Sequence, residues 1–178
     1  MSGAPDIVGQ LEALRRYARV LTRDPEAADD LVQATFLRAE ERRCTFREDG
    51  DPRVWLMSIL HRLFIDTRRS ERASEARAQA WAETRPLFAP AGGEPAARLA
   101  QIRTAFLALS ADRREALHLV AVEGLSVAEA AAILGVPAGT VMSRVARARA
   151  DLRAFEDGTA LRAGATLKIV GRRDDGTT

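Results

Sequence analysis

Residues 125–153 read LSVAEAAAILGVPAGTVMSRVARARADLR, the pattern of two helices joined by a tight turn. Ser126 and Glu129 have capping-box spacing, Ser-x-x-Glu, which satisfies orphan backbone donors at a helix start. Ala130, Ile133 and Leu134 then supply an apolar face. Gly135 stands where the chain leaves the helix, because glycine enters the left-handed region at little cost. Val136 and Pro137 follow, and a proline near the first turn suits a new helix. From Thr140 on, Val141, Val145, Ala148, Leu152 and Phe155 recur at three- and four-residue steps and share one face. Thr140, Ser143, Arg144 and Arg147 project largely away from it. Hydroxyls and guanidiniums on the outer face of a second helix are what a major-groove reader presents. A solvated basic face is the bland alternative, and the capped helix with its glycine turn favours DNA over it.

Working outward, 178 residues with 47% hydrophobic content suffice for one moderate core or two small ones. The formal charge is only +2, so this is no polycation. Residues 98–155 carry eight basic against five acidic residues, while 1–73 carry thirteen of each; net basic surface belongs to the second half. Cys44 is the single cysteine, which excludes an internal disulfide and a cysteine zinc cluster. No basic-then-apolar leader opens the chain, and no apolar run nears the roughly 18 residues of a membrane span. A cytoplasmic protein without membrane insertion is expected.

Ile7, Leu11, Leu14, Ala18 and Leu21 mark an amphipathic first helix. Asp24 and Pro25 are a cap and first residue for the next, which runs to about Arg43 and buries Ala28, Leu31, Val32, Thr35 and Ala39. On its other side Asp30, Gln33, Leu37 and Glu41 fall together, a partner face or an acidic surface with one stray leucine. Thr45 to Pro52 is a polar turn holding Phe46 and Arg47. A long helix starts near Arg53 and passes Arg69; Trp55, Leu56, Met57, Ile59, Leu60, Leu63 and Phe64 cover most of its circumference, as in a central helix. Its remaining strip carries Ser58, His61, Arg62, Arg68 and Arg69, either solvated or a phosphate track.

Between about Ser74 and Ala97, Pro86, Pro90, Gly92, Gly93 and Pro95 resist a packed core and read as a linker, with Trp81, Leu87 and Phe88 available to dock. Order returns at Arg98, with Leu99, Ile102, Phe106 and Leu109 on one face. Ser110 is placed to cap a helix burying Ala116, Leu117, Val120 and Ala121 and ending at Gly124. After Phe155, a flexible tail is expected, its short strand-like run Thr166 to Val170 too small to stand alone. His61 and Asp66 do not face each other well enough for acid–base work, and His118 reads as packing. No catalytic residue, metal site or cofactor is expected.

Four stretches then fit a family. They are DPEAADDLVQATFLRAEE (24–41), RVWLMSILHRLFIDTRRS (53–70), LSADRREALHLVAVEGLSVAEAAAILGVPAGTV (109–141) and SRVARARADLR (143–153). The chain resembles the extracytoplasmic-function (ECF) class of bacterial sigma factors, promoter-recognition subunits of RNA polymerase. The resemblance implies an all-α fold of two small domains on a flexible linker: a sigma-2 domain over 1–73, a linker over 74–97, a sigma-4 domain over 98–155, and the tail 156–178. It implies that Asp30, Gln33 and Leu37 grip the β′ clamp helices of core polymerase, with the β flap a further contact. Phe46, Arg47, Trp55, Ser58, Arg62, Arg68 and Arg69 would serve the −10 element, and Thr140, Ser143, Arg144 and Arg147 the −35 element of promoter DNA. An anti-sigma factor is implied as regulator. Three positions depart from the family pattern: Ala34 for a glutamate, Arg62 for an asparagine that accepts hydrogen bonds where arginine cannot, and Met142 for a frequent basic residue. Two rival readings share some of these features. A sigma-mimicking anti-anti-sigma module would use the same helices to bind an anti-sigma factor without directing transcription. A dimeric helix-turn-helix repressor explains 110–153 and leaves 24–70 as coincidence.

Overall fold

The computed structural model describes residues 8–47, 49–75 and 94–156, and every regular element in them is helical. The expected linker, with Trp81, Leu87 and Phe88, and the tail with its run Thr166 to Val170 lie almost wholly outside the described residues. The first unit is α1 (Leu11–Thr22), α2 (Pro25–Glu41) and α3 (Pro52–Glu75). The second is α4 (Glu94–Ala108), α5 (Ala111–Leu117), α6 (Val127–Leu134) and α7 (Ala138–Glu156).

Local chemistry sets the boundaries. Asp24 caps α2, its carboxylate accepting from the Ala27 amide at 2.9 Å, with Pro25 in the first turn. α1 ends on Arg23, whose backbone is left-handed (φ 59°) and whose amide reaches the Arg19 carbonyl; a glycine usually occupies such a cap. Ser126 and Glu129 form the capping box that opens α6, and Gly135 closes it with φ 65°. Ser110, expected to cap α5, makes no side-chain cap bond.

The apolar rows then pack. Leu14, Tyr17, Ala18 and Leu21 of α1 meet Leu31 and Val32 of α2 and Leu56, Met57 and Leu60 of α3. In the second unit Ala116, Ile133, Val141, Val145 and Ala148 are buried. Two expectations fail there. Leu99 (67% exposed) and Ile102 are exposed; of the expected face only Phe106, half-buried against the core, and Leu109, just past the end of α4, turn inward, and Ala105 is buried beside them. Ala121 is exposed because α5 widens into a π turn over His118–Val122, which rotates the following side chains off the α-helical row. Gly124 (φ 69°) ends that turn.

The two units do not stand apart as independently tethered domains. Their buried residues form a single apolar cluster, and a buried arginine joins them: Arg114 on α5 donates to the Val20 carbonyl at 3.2 Å and to the Leu109 carbonyl at 3.0 Å. A cation at the carbonyl end of α1 is favourably placed against that helix's dipole. Burial, then repulsion from Arg23, lowers the Arg114 pKa below its ordinary value.

Candidate nucleic-acid and polymerase surfaces

Capping and turn geometry aim α7. Val141, Val145 and Ala148 face inward, while Ser143 and Arg147 are exposed and Thr140 is half-buried. Arg144 departs from the expectation that it points outward: its guanidinium pairs with Asp112 at 2.7 Å and lines a crevice facing α3. Met142 is exposed. On the first unit, Phe46 packs obliquely on Trp55, ring centroids 5.2 Å apart, both half-buried. Arg47 is exposed and pairs with Asp49. Ser58 is half-buried and donates to the Val54 carbonyl at 2.8 Å. Arg62 is exposed. Arg68 lies over the Phe64 ring and, with Arg69, lines the crevice rather than joining Phe46 and Trp55. The expected −10 set is therefore split along α3 into an aromatic end and a crevice end. On α2, Asp30, Gln33, Ala34 and Leu37 are all exposed, Leu37 at 70%.

A buried polar junction escaped sequence reading. Glu123, its side chain 0% exposed, takes two hydrogen bonds from Arg16 (Nε–Oε1 3.0 Å, Nη2–Oε2 2.9 Å) and another from Arg53. His118 Nε2 lies 3.1 Å from Oε1, the oxygen that also accepts from Arg16 Nε. Burial alone would raise this carboxyl; the polar contacts with His118 and Arg16 outweigh it and bring the pKa to about 2. Beside it, Tyr17 is stacked between His61 and His118, with ring planes 13° and 6° from parallel. The Tyr17 hydroxyl shares a 3.0 Å hydrogen bond with His61 Nδ1. His61 thus belongs to the buried junction and not to the exposed strip of α3 where it was expected. Burial lowers His61 to about 4 and raises Tyr17 well above its usual value, so this is a neutral pair at pH 7. Glu115 approaches His61 Nδ1 at 4.0 Å. Burial, aided by Asp112 and opposed by Arg114, Arg144 and Arg68, raises Glu115 to about 7. Between about pH 4 and 7 that approach joins two uncharged groups and is no ion pair. Beyond it opens the crevice, about 540 Å³, with Phe64, Ile65 and Arg68 on one wall and Leu134, Val136 and Arg144 on the other.

The sequence signal for this junction was faint. Arg16 and Tyr17 stood in an arginine-rich helix, and Glu123 is 107 residues from its Arg16 partner. Among the described residues no helix is long and apolar enough to cross a membrane.

Two packed helical units, the second a capped helix-turn-helix with exposed cations, define a protein of the sigma-70 class. The family described as Sigma-70, region 4 matches residues 99–152, and that described as the Sigma2 domain of PhyR matches 7–61. The chain is 39% identical to the ECF RNA polymerase sigma factor EcfG of Rhodopseudomonas palustris, over 84% of this chain and 82% of that one. It is 41% identical to the ECF sigma factor SigC of Mycobacterium tuberculosis, over 74% and 71%. The sigma factor RpoE of Bartonella quintana, solved with the anti-sigma factor NepR, superposes with a TM-score of 0.75 at 32% identity, covering 85% of this chain and 94% of that one. The chain belongs to the ECF family of RNA polymerase sigma factors.

Proposed function

We propose that this chain binds core RNA polymerase and directs initiation at promoters with separate −35 and −10 elements, in the cytoplasm and under the control of an anti-sigma factor. Residues 1–73 supply the polymerase and −10 contacts, and residues 98–155 the −35 contact. The observation that carries this reading is the distribution of exposed groups. Asp30, Gln33 and Leu37 stand out from α2 on one face while that helix buries its opposite row. α7 likewise holds Ser143 and Arg147 outside and its valines inside. An exposed leucine flanked by an acid and an amide suits a protein partner, whereas hydroxyls and guanidiniums suit base edges and phosphates.

On this reading the Phe46–Trp55 end of α3 receives an unstacked non-template base. Extrusion costs a few kcal/mol, which aromatic contact and nearby cations such as Arg47 and Arg62 offset. Arg62 donates only, so it contacts a phosphate or selects a base with a free acceptor. The anti-sigma partner is proposed because the sigma factor RpoE of Bartonella quintana was solved with NepR.

A run-off transcription assay with core polymerase and genomic promoter fragments tests the reading. The wild type should give specific transcripts. Asp30→Ala with Gln33→Ala should weaken core association and leave duplex binding intact. The match of residues 7–61 to the Sigma2 domain of PhyR favours one rival, a sigma mimic that sequesters an anti-sigma factor. Tight anti-sigma binding without any promoter-specific transcript would establish that rival.

A further inference from the structure

With Arg144 drawn to Asp112 and Thr140 half-buried, the outer face of α7 is set by other residues. A helix turns about 100° per residue, so Gly139, Met142, Ser143, Ala146 and Arg147 form one strip. All five are exposed, opposite the buried Val141, Val145 and Ala148. A Cβ added at Gly139 would meet nothing within 4 Å, so this end of the strip is open. The strip lies in the first turns of α7, which begins at Ala138, and the N-terminal part of a recognition helix is the part that meets base edges. No acidic residue lies between Ala138 and Ala150. Arg149 and Arg153, both exposed, continue the Met142 side of the helix at i+7 and i+11, where they suit the phosphates that border a groove.

The chemistry of the strip is divided three ways. The Ser143 hydroxyl donates to the Thr140 carbonyl at 2.9 Å, so outward it offers only lone pairs. Arg147 can only donate. Met142, 61% exposed, offers a thioether and a methyl, with the Ala146 methyl one turn further on. A lone exposed apolar side chain is ordinary. Met142 differs in its company, since acceptor, donor and apolar group stand side by side as they do on base edges. The C5-methyl of thymine is the apolar group that base pairs present in the major groove.

We propose that Met142, with Ala146, forms an apolar subsite that reads the C5-methyl of one thymine in the −35 element and so helps to set promoter specificity. This rests on the sigma-factor reading and adds a specificity-determining residue to it. A basic side chain at this position would contact phosphate and add affinity for any sequence; methionine adds affinity where the methyl is. Its unbranched, polarisable chain follows that methyl through small changes in helix docking. Removing one methyl from water on contact is worth about fourfold in affinity.

The test uses holoenzyme reconstituted with core polymerase and a promoter fragment that wild-type holoenzyme recovers from genomic DNA and transcribes. Each −35 thymine, on either strand, is replaced in turn by deoxyuridine, which lacks the methyl and keeps the hydrogen-bonding groups. At one position wild type should bind about fourfold more weakly. Met142→Ala should bind the thymine duplex more weakly than wild type and make no distinction between thymine and deoxyuridine at that position. Met142→Lys should be equally blind to the methyl, with a steeper salt dependence than Met142→Ala. Ser143→Ala should keep the methyl preference. Met142 is exposed, so the helical circular dichroism and core association of Met142→Ala should match wild type, which keeps a folding defect from standing in for a lost contact. Equal deoxyuridine penalties in wild type and Met142→Ala overturn the subsite, as does the lack of a penalty at every −35 thymine while transcription stays promoter-specific. Absence of any promoter-specific transcript from wild-type holoenzyme overturns the sigma-factor reading itself, and the subsite with it.

Discussion

Replacing Glu115 with glutamine should stabilise the protein, and more so as pH rises. Glu115 is a buried carboxyl amid Arg114, Arg144 and Arg68, where removal of a negative charge would ordinarily be expected to harm. Its pKa nevertheless stands at about 7 against an ordinary 4.5, because burial outweighs the arginines. That displacement corresponds to about 3 kcal/mol of cost to the folded state once the group is ionised. Between pH 4.5 and 7 the folded chain keeps a proton that the unfolded chain releases, so this group makes stability fall as pH rises, and the fall levels off above 7. Glutamine copies the protonated shape and cannot ionise. The variant should therefore exceed wild type by about 1 kcal/mol at pH 5.5 and about 3 kcal/mol at pH 8. His61 works the other way in the wild type: held neutral to about 4, it adds stability as pH climbs from 4 to 6.5, and it drops out of the difference between the two proteins. Urea unfolding followed by far-UV circular dichroism at constant ionic strength measures both gaps. Equal gaps at pH 5.5 and 8, or a variant weaker at both, would show that Glu115 is not an ionising buried acid.

Three further substitutions probe local features. Arg23→Gly relieves a left-handed arginine and should stabilise by about 0.5–1 kcal/mol after glycine's entropic cost, read as a rise in Tm; a fall would mean that the Arg23 side chain matters more than its backbone. Ser126→Ala removes the hydroxyl that accepts from the Glu129 amide and should cost about 1 kcal/mol, a Tm drop of about 2–4 °C. Arg147→Ala should weaken −35 binding: loss of a base contact costs about 1–3 kcal/mol and is sequence-selective, whereas loss of a phosphate contact lowers the salt slope by about 1. Fluorescence anisotropy at several salt concentrations separates the two, and unchanged binding removes Arg147 from the contact set.

Much of this fold was legible because helices write their inward faces at short range. The buried row of α2 was read residue by residue, and the Asp24, Ser126 and Gly135 boundaries each follow from one local hydrogen bond or one backbone angle. The errors fall where local pattern has no say. Leu99 and Ile102 share a helical row with Phe106 and Leu109, yet only the far end of that row reaches the core, where Ala105 is buried beside it. The π turn adds one residue to a helical register, which displaces Ala121 with no change in composition. The polar junction is harder still to read. Tyr17, His61, Glu115, His118 and Glu123 come from four segments, and each alone has an ordinary reading: a helix aromatic, a surface histidine, an exposed acid. Only their meeting makes them a buried network, because a buried carboxylate needs several donors at once and the chain must bring these from both units.

That meeting also explains how two units of modest size share one stable arrangement. Each three- or four-helix unit has a small core, and sealing their faces together extends the apolar cluster across the join. Hydrophobic contact is non-directional and would tolerate several relative orientations. The charge-assisted bonds to Glu123 do not: breaking one arginine from a buried carboxylate leaves charge without compensation, so alternative packings are penalised by several kcal/mol.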